Sequence, residues 1–226
     1  MAKRYFITGT DTEIGKTTIA AALLHAARLS GLSTAAVKPV AAGCERTDEG
    51  LRNEDALALM SQCQPSIGYE LINPVALEAA VAPHIAAQEE GVALTAEMLA
   101  AACQTVFEGN ADLTLVEGAG GWRVPLNGQQ TLADLAGMLG IPVVMVVGMR
   151  LGCINHALLT AEAIRADGLV LAGWVANRVD PAMSRPDENL ATLEQLIDAP
   201  CLGVVPWLEQ PSTNSIAAQL DISSLL

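Results

Sequence analysis

The chain is short of positive charge: 12 lysines and arginines stand against 25 aspartates and glutamates, a formal net charge of −13 over 226 residues. Such a surface repels nucleic acid and anionic membranes, so any polyphosphate must be held by a few local cations and backbone dipoles. A small-molecule partner is the expectation. Cysteine offers no scaffold either. The five present (Cys44, Cys63, Cys103, Cys153, Cys201) are odd in number and scattered, without a Cys-x-x-Cys pair. That pattern argues against a disulfide framework and a zinc site, and leaves reduced, mostly buried thiols. The longest apolar stretches are too short to span a bilayer, and Met1-Ala2-Lys3-Arg4 leads into a strand rather than a signal-peptide core. The expected location is the cytoplasm. Repeats, low-complexity tracts and linkers are also lacking, so residues 1–226, about half of them apolar, read as one α/β domain with a well-buried core.

What is present is alternation. Strands are predicted at Tyr5–Thr8, Thr34–Val40, Leu113–Glu117, Val143–Val147, Leu171–Ala176 and Leu202–Val205. Helices are predicted at Lys16–Arg28, Asp55–Ser61, Ala96–Phe107, Leu132–Leu139, Ile154–Ala166 and Glu188–Leu196. Short β-branched runs between alanine- and leucine-rich helices are the pattern of parallel βαβ units, and strands apolar throughout are those covered by helices on both faces. In such sheets ligands bind beyond the carboxyl ends of the strands.

The first strand end carries Gly9-Thr10-Asp11-Thr12-Glu13-Ile14-Gly15-Lys16-Thr17, followed directly by a helix. A glycine-rich turn lets backbone N–H groups converge on phosphate oxygens, and the helix N-terminus adds its dipole to the same anion. Lys16 would reach the β/γ-phosphates and Thr17 would offer a hydroxyl to Mg²⁺, as in P-loops generally. The first glycine lies one position earlier than the usual spacing, with Thr10 in its place. At the second strand end, Lys38 sits inside an apolar run on what reads as an inner strand. It is either a snorkelling lysine or a cation facing a second anion, since burying it alone is costly. The third strand closes on Glu117, followed by Gly118-Ala119-Gly120-Gly121. Alone, Glu117 is a strand-end charge; beside Lys16 and Thr17 it is a metal partner. Asp55 alone reads as an acid serving a helix dipole.

Together, Gly9–Thr17, Lys38-Pro39, Asn53–Leu57, Val116–Gly121, Gly152–Ala157, Gly173–Asn177 and Pro206–Leu208 resemble the dethiobiotin synthetase family over nearly the whole chain, including the long glycine loop. The resemblance implies a homodimer of single-domain P-loop NTPase fold, a mostly parallel sheet with helices on both faces. It implies action on 7,8-diaminononanoate, CO₂ and ATP with Mg²⁺. An amine captures CO₂ as a carbamate, the carbamate takes the γ-phosphoryl group, and the second amine closes the cyclic urea. By the same resemblance Thr12, Lys16 and Lys38 serve the carbamate and γ-phosphate, and Thr17, Asp55 and Glu117 place Mg²⁺. Glu13, Ile14, Gly15, Lys16, Thr17, Thr18, Asp55, Glu117, Gly118, Ala119 and Gly120 line the nucleotide, with Asn177, Arg178, Pro206, Trp207 and Leu208 around its base. Thr12, Lys38 and Ala42 contact the diamine, and Gly152, Cys153 and Asn155 hold its carboxylate tail across a subunit interface.

Two features stand out against the family pattern. Ala42 stands where a Ser or Thr hydroxyl is usual. Asn177-Arg178-Val179-Asp180 looks like a guanine-reading motif, which leaves base selectivity open. His25 reads as packing or surface, and His84 as either a substrate loop or plain structure. A partitioning-ATPase-like nucleotide switch and a catalytically silent paralogue are the competing readings; the loop positions 10 to 14 hold no lysine of the kind partitioning ATPases usually carry.

Overall fold

Six of the apolar runs form a wholly parallel sheet in the computed structural model, which describes residues 2–226. The first half of the chain comprises β1 (Lys3–Gly9), α1 (Lys16–Leu29), β2 (Thr34–Val37), β3 (Val40–Ala41), β4 (Glu45–Thr47), β5 (Gly50–Arg52), α2 (Glu54–Met60), α3 (Tyr69–Ile72), β6 (Val75–Ala76), α4 (Pro83–Glu89) and α5 (Ala96–Phe107). After these come β7 (Leu113–Glu117), α6 (Leu132–Leu139), β8 (Val143–Met149), α7 (Cys153–Ala166), β9 (Leu171–Arg178), α8 (Pro186–Leu196), β10 (Cys201–Val205) and α9 (Thr213–Ala217). The sheet order is β10-β9-β8-β1-β7-β2. Helices cover both faces because side chains alternate along each strand. Val143, Met145 and Val147 of β8 join one core, with Leu99, Leu135 and Ala161. Val144 and Val146 join the other, with Ile19, Leu23 and Leu59. Trp174 is fully buried, and four of the five free cysteines are buried, as expected.

One strand expectation fails. The run Thr34–Val40 breaks at Val37, and Val40–Ala41 pairs instead with β6. Pro39 is the reason: it has no N–H for the ladder and restricts the residue before it. Moreover, β2 is an edge strand and not an inner one, so Lys38 lies just beyond the end of one of the sheet's two edge strands. The β4–β5 hairpin was not anticipated. Its residues are charged and largely exposed, giving no apolar periodicity to read.

Candidate active site

The strand order places the chemistry. β1 lies between β7 and β8, and β2 lies beyond β7, so the loop after Gly9, the Glu117 strand end and Lys38 stand abreast. The pairing of Val37 with Val116 brings Lys38 beside Glu117. Above these ends opens a cleft of about 1310 Å³. Its floor includes Lys16, Thr17, Lys38 and Asp55; its walls come from the β4–β5 hairpin, residues 80–83 and the segment after β7.

The early glycine of the loop has a steric reason. A Cβ at Gly9 would lie 2.7 Å from Ile14 Cδ1 and 3.0 Å from Lys16 Cδ, because the loop folds its own side chains back over that position. Gly15 adopts φ +83 and is the N-cap of α1, with neither a side-chain cap nor an acidic residue in the first turn. The first N–H groups of α1 are therefore available to an anion. Asn177 Nδ2 donates to the Ile14 carbonyl at 2.8 Å, tying the end of β9 to the loop.

Three ionisable side chains meet at the floor. Lys38 Nζ is 2.6 Å from Glu117 Oε1 and 2.8 Å from Asp55 Oδ2, while the Thr17 hydroxyl donates to Glu117 Oε1 at 2.7 Å. Glu117 is fully buried, and its Oε2 has no hydrogen-bond partner. Lys38 is buried as well, which disfavours its charge, yet Glu117 and Asp55 outweigh burial and raise its pKa. Burial likewise opposes ionisation of Asp55, but the charge of Lys38 and the hydrogen bond it donates hold the carboxyl below its usual value. Lys16 is different: burial pulls its pKa down to about 8, with Glu117 opposing and Lys38 adding to the fall. Its ammonium donates to the Asp11 carbonyl at 2.9 Å. Buried ion pairs are weak stabilisers because desolvation offsets attraction, so this cluster reads as function.

A sequence from Pseudomonas aeruginosa strain UCBPP-PA14, an ATP-dependent dethiobiotin synthetase BioD, is 65% identical over 221 residues, covering 98% of this chain and 97% of its own length. The chain belongs to the ATP-dependent dethiobiotin synthetase family. The family's representative from Cellvibrio japonicus is 62% identical over 224 residues, covering 99% of this chain and 98% of its own. A family model described as an AAA domain matches residues 3–215. Among solved structures, a ParA family ATPase from Chlorobium tepidum has TM-score 0.56 at 16% identity, covering 99% of this chain and 96% of its own. The MinD cell division protein of Aquifex aeolicus has TM-score 0.55 at 17%, covering 98% and 88%. At such identity the likeness shows the fold alone.

The cleft collects many of the residues that the family resemblance points to. Thr12, Glu13, Gly15, Lys16, Thr17, Thr18, Lys38, Ala42, Asp55, Ala119 and Gly120 line it, and Glu117 reaches it through Lys38 and Thr17. A second group lies elsewhere. Asn177 pairs in register with Val205, so Arg178 and Pro206–Leu208 emerge from adjacent strand ends beyond the other side of the loop, with Trp207 about half exposed. Arg178 is ion-paired with Asp187, and Asp180 accepts from the Ala182 N–H. Gly152, Cys153 and Asn155, at the start of α7, do not line this cleft. His84 falls in α4 and also does not line it, although its neighbour Pro83 does. His25 is partly buried on α1, its Nδ1 lying 3.2 Å from Gln62 Oε1, and it does not line the cleft.

Arg150 is a residue that sequence reasoning missed. It follows β8 and is ion-paired with Asp11 of the loop, and the strand-end rule that exposed Glu117 would have found it. The hairpin wall had no such signal. Among the described residues no group of three or more His, Cys, Asp or Glu is placed to hold a metal ion. The available oxygen set is two carboxylates and the Thr17 hydroxyl, and Mg²⁺ characteristically completes so small a protein set with phosphates and water.

Proposed function

We propose that this chain is a homodimeric, cytoplasmic ligase that joins 7,8-diaminononanoate and CO₂ into dethiobiotin at the expense of ATP. The observation that carries the reading is the convergence of Lys16, Lys38, Asp55 and Glu117 beneath one cleft, in a chain 65% identical to a dethiobiotin synthetase. One amine attacks CO₂ and loses a proton, giving a carbamate. A carbamate oxygen takes the γ-phosphoryl group and ADP leaves. The second amine then attacks the carbamic carbon and loses a proton, and phosphate departs as the ring closes. This chemistry asks the protein for in-line placement and charge neutralisation. Lys16 and the N–H groups opening α1 suit the triphosphate. Thr12 and Lys38 suit the carbamate, Glu13 and Gly118–Gly120 the nucleotide's flank, and Asn177, Arg178 and Pro206–Leu208 its base, where a carboxamide both donates and accepts.

Thr17, Asp55 and Glu117 are the residues that would hold Mg²⁺. The unpartnered Glu117 Oε2 supports this, since a buried carboxylate oxygen with spare acceptor capacity suits a hard cation. When bound, the ion supplies charge neutralisation for the phosphates. Glu117→Gln is expected to raise the Mg²⁺ concentration for half-maximal rate far more than the diamine KM; Mg²⁺ titration at saturating ATP checks this, and unchanged Mg²⁺ dependence removes Glu117 from the ion. Ala42→Ser restores a hydroxyl to the cleft wall and is expected to lower the diamine KM by up to about fivefold, the equivalent of one hydrogen bond of about 1 kcal/mol.

A coupled assay of ADP release, with mass detection of the cyclic urea, tests the reading. Release that requires both diamine and bicarbonate supports it. Slow release indifferent to the diamine indicates a nucleotide switch, and no release a silent module.

A further inference from the structure

We infer that Tyr69 and Asn73 form a buried positioning unit that holds Lys38 and the Asp55-bearing helix α2 in a fixed relation, an inference that rests on the functional reading above. Tyr69 opens the four-residue helix α3 and Asn73 is its C-cap; both are buried and neither lines the cleft. The Tyr69 hydroxyl accepts from the Asn53 backbone N–H at 2.7 Å and donates to Asn73 Oδ1 at 3.1 Å. Asn53 is the N-cap of α2, its own side chain accepting from the Ala56 N–H at 3.2 Å. Fixing Asn53 therefore fixes where α2 begins and where Asp55, two residues on, is presented.

At its other end the unit grips Lys38. Asn73 Nδ2 donates to the Lys38 carbonyl at 2.8 Å and to the Val75 carbonyl at 3.1 Å, and the Lys38 N–H donates to the Ile72 carbonyl at 2.6 Å. The need for this grip follows from Pro39. Once the ladder of β2 has ended at Val37, the buried main-chain groups of Lys38 must find partners elsewhere. They find them on α3 and Asn73, the segment that also anchors α2. The Arg52 guanidinium stacks 4.2 Å from the centre of the Tyr69 ring and holds it in place. Neither side chain lines the cleft, so the role is positioning: one hydroxyl and one carboxamide join the backbones that carry Lys38 and Asp55, whose side chains meet at 2.8 Å.

Tyr69→Phe tests this, because it keeps the ring and its Arg52 stacking but strands the Asn53 N–H and Asn73 Oδ1. The expected result is a kcat about tenfold below wild type, as for a small misplacement of groups serving a transition state. The ATP Kd, measured by calorimetry, is expected to stay within about twofold, because α1 and Lys16 are untouched. Folded content, followed by circular dichroism at the assay temperature, is expected to be unchanged. Asn73→Ala is expected to shift kcat the same way, and the double variant to lose little more than the worse single one. If Asn73→Ala does not fold, Tyr69→Phe alone decides. Wild-type kcat in Tyr69→Phe, or kcat and ATP binding declining together with folded content, overturns the inference. A wild-type protein that does not consume the diamine overturns the functional reading and this inference with it, whereas a competent wild type beside an unaffected Tyr69→Phe overturns the inference alone.

Discussion

Lys38→Ala and Lys38→Gln are expected to turn over the diamine at less than about a hundredth of the wild-type rate while keeping near-normal ATP affinity, whereas Lys16→Ala is expected to lose both; steady-state kinetics with calorimetric ATP binding checks the split. The expected size follows from removing a preorganised charge at a centre where charge develops, which costs roughly 10²–10³ in rate. The split follows from geometry. Lys16 belongs to the loop and helix that suit the ground-state triphosphate, and its weakened hold on a proton, with a pKa of about 8, reflects a buried ammonium short of anionic partners. A bound phosphate supplies such a partner. Lys38 lies on the far side of Glu117 and contacts Glu117 and Asp55, so the service proposed for it falls in the reacting complex. The two Lys38 variants are needed together. Alanine leaves Glu117 buried without a counter-ion, a loss that typically costs about 3–5 kcal/mol of stability. Glutamine retains a donor for Glu117 without the charge, and thermal unfolding of both separates lost chemistry from lost fold. Wild-type turnover in a folded Lys38→Gln would remove Lys38 from the site.

Mixing two inactive variants is expected to restore about a quarter of wild-type activity. The pair is Lys16→Ala, which disables the phosphate loop, and Asn155→Trp, which blocks the segment proposed to hold the diamine's tail. The motivation is spatial. Gly152, Cys153 and Asn155 open α7 with Asn155 exposed, and the neighbouring Leu151 is 90% exposed, yet none of them lines the cleft of their own chain. The reacting amines carry no information about chain length or orientation, so an anchor for the tail is required for productive cyclisation. In a two-fold dimer the same surface meets itself, which lets α7 of one subunit complete the cleft of the other. Random exchange yields about half heterodimers, each with one doubly defective and one intact composite site. Subunit exchange followed by mass spectrometry, with activity measured alongside, checks the result. Confirmed exchange with no recovered activity places the complete site within a single chain.

Much of this protein was legible in residue order, and particular residues show where legibility stopped. Gly15-Lys16-Thr17 after β1 and before α1 could be read because strand, loop and helix are contiguous, and the chemistry of the loop is carried by its own backbone. Glu117 could be read from its place at a strand end. The β4–β5 hairpin, which builds a wall of the cleft, could not, because charged exposed residues carry no periodicity. Tyr69 and Asn73 gave no signal either. They are ordinary polar residues in a short helix, and their importance arises from bonds to Asn53, 16 residues before Tyr69, and to Lys38, 35 residues before Asn73.

The parallel α/β class and the phosphate loop are readable from residue order, because period and spacing are local properties that each segment expresses alone. That β7 stands between β1 and β2, that Pro39 stops an edge strand at Val37, and that Lys38 closes on Asp55 and Glu117 are outcomes of packing. The Lys38–Glu117 contact spans 79 residues. Strand order and burial set it, and both are products of packing the two helical layers onto one sheet.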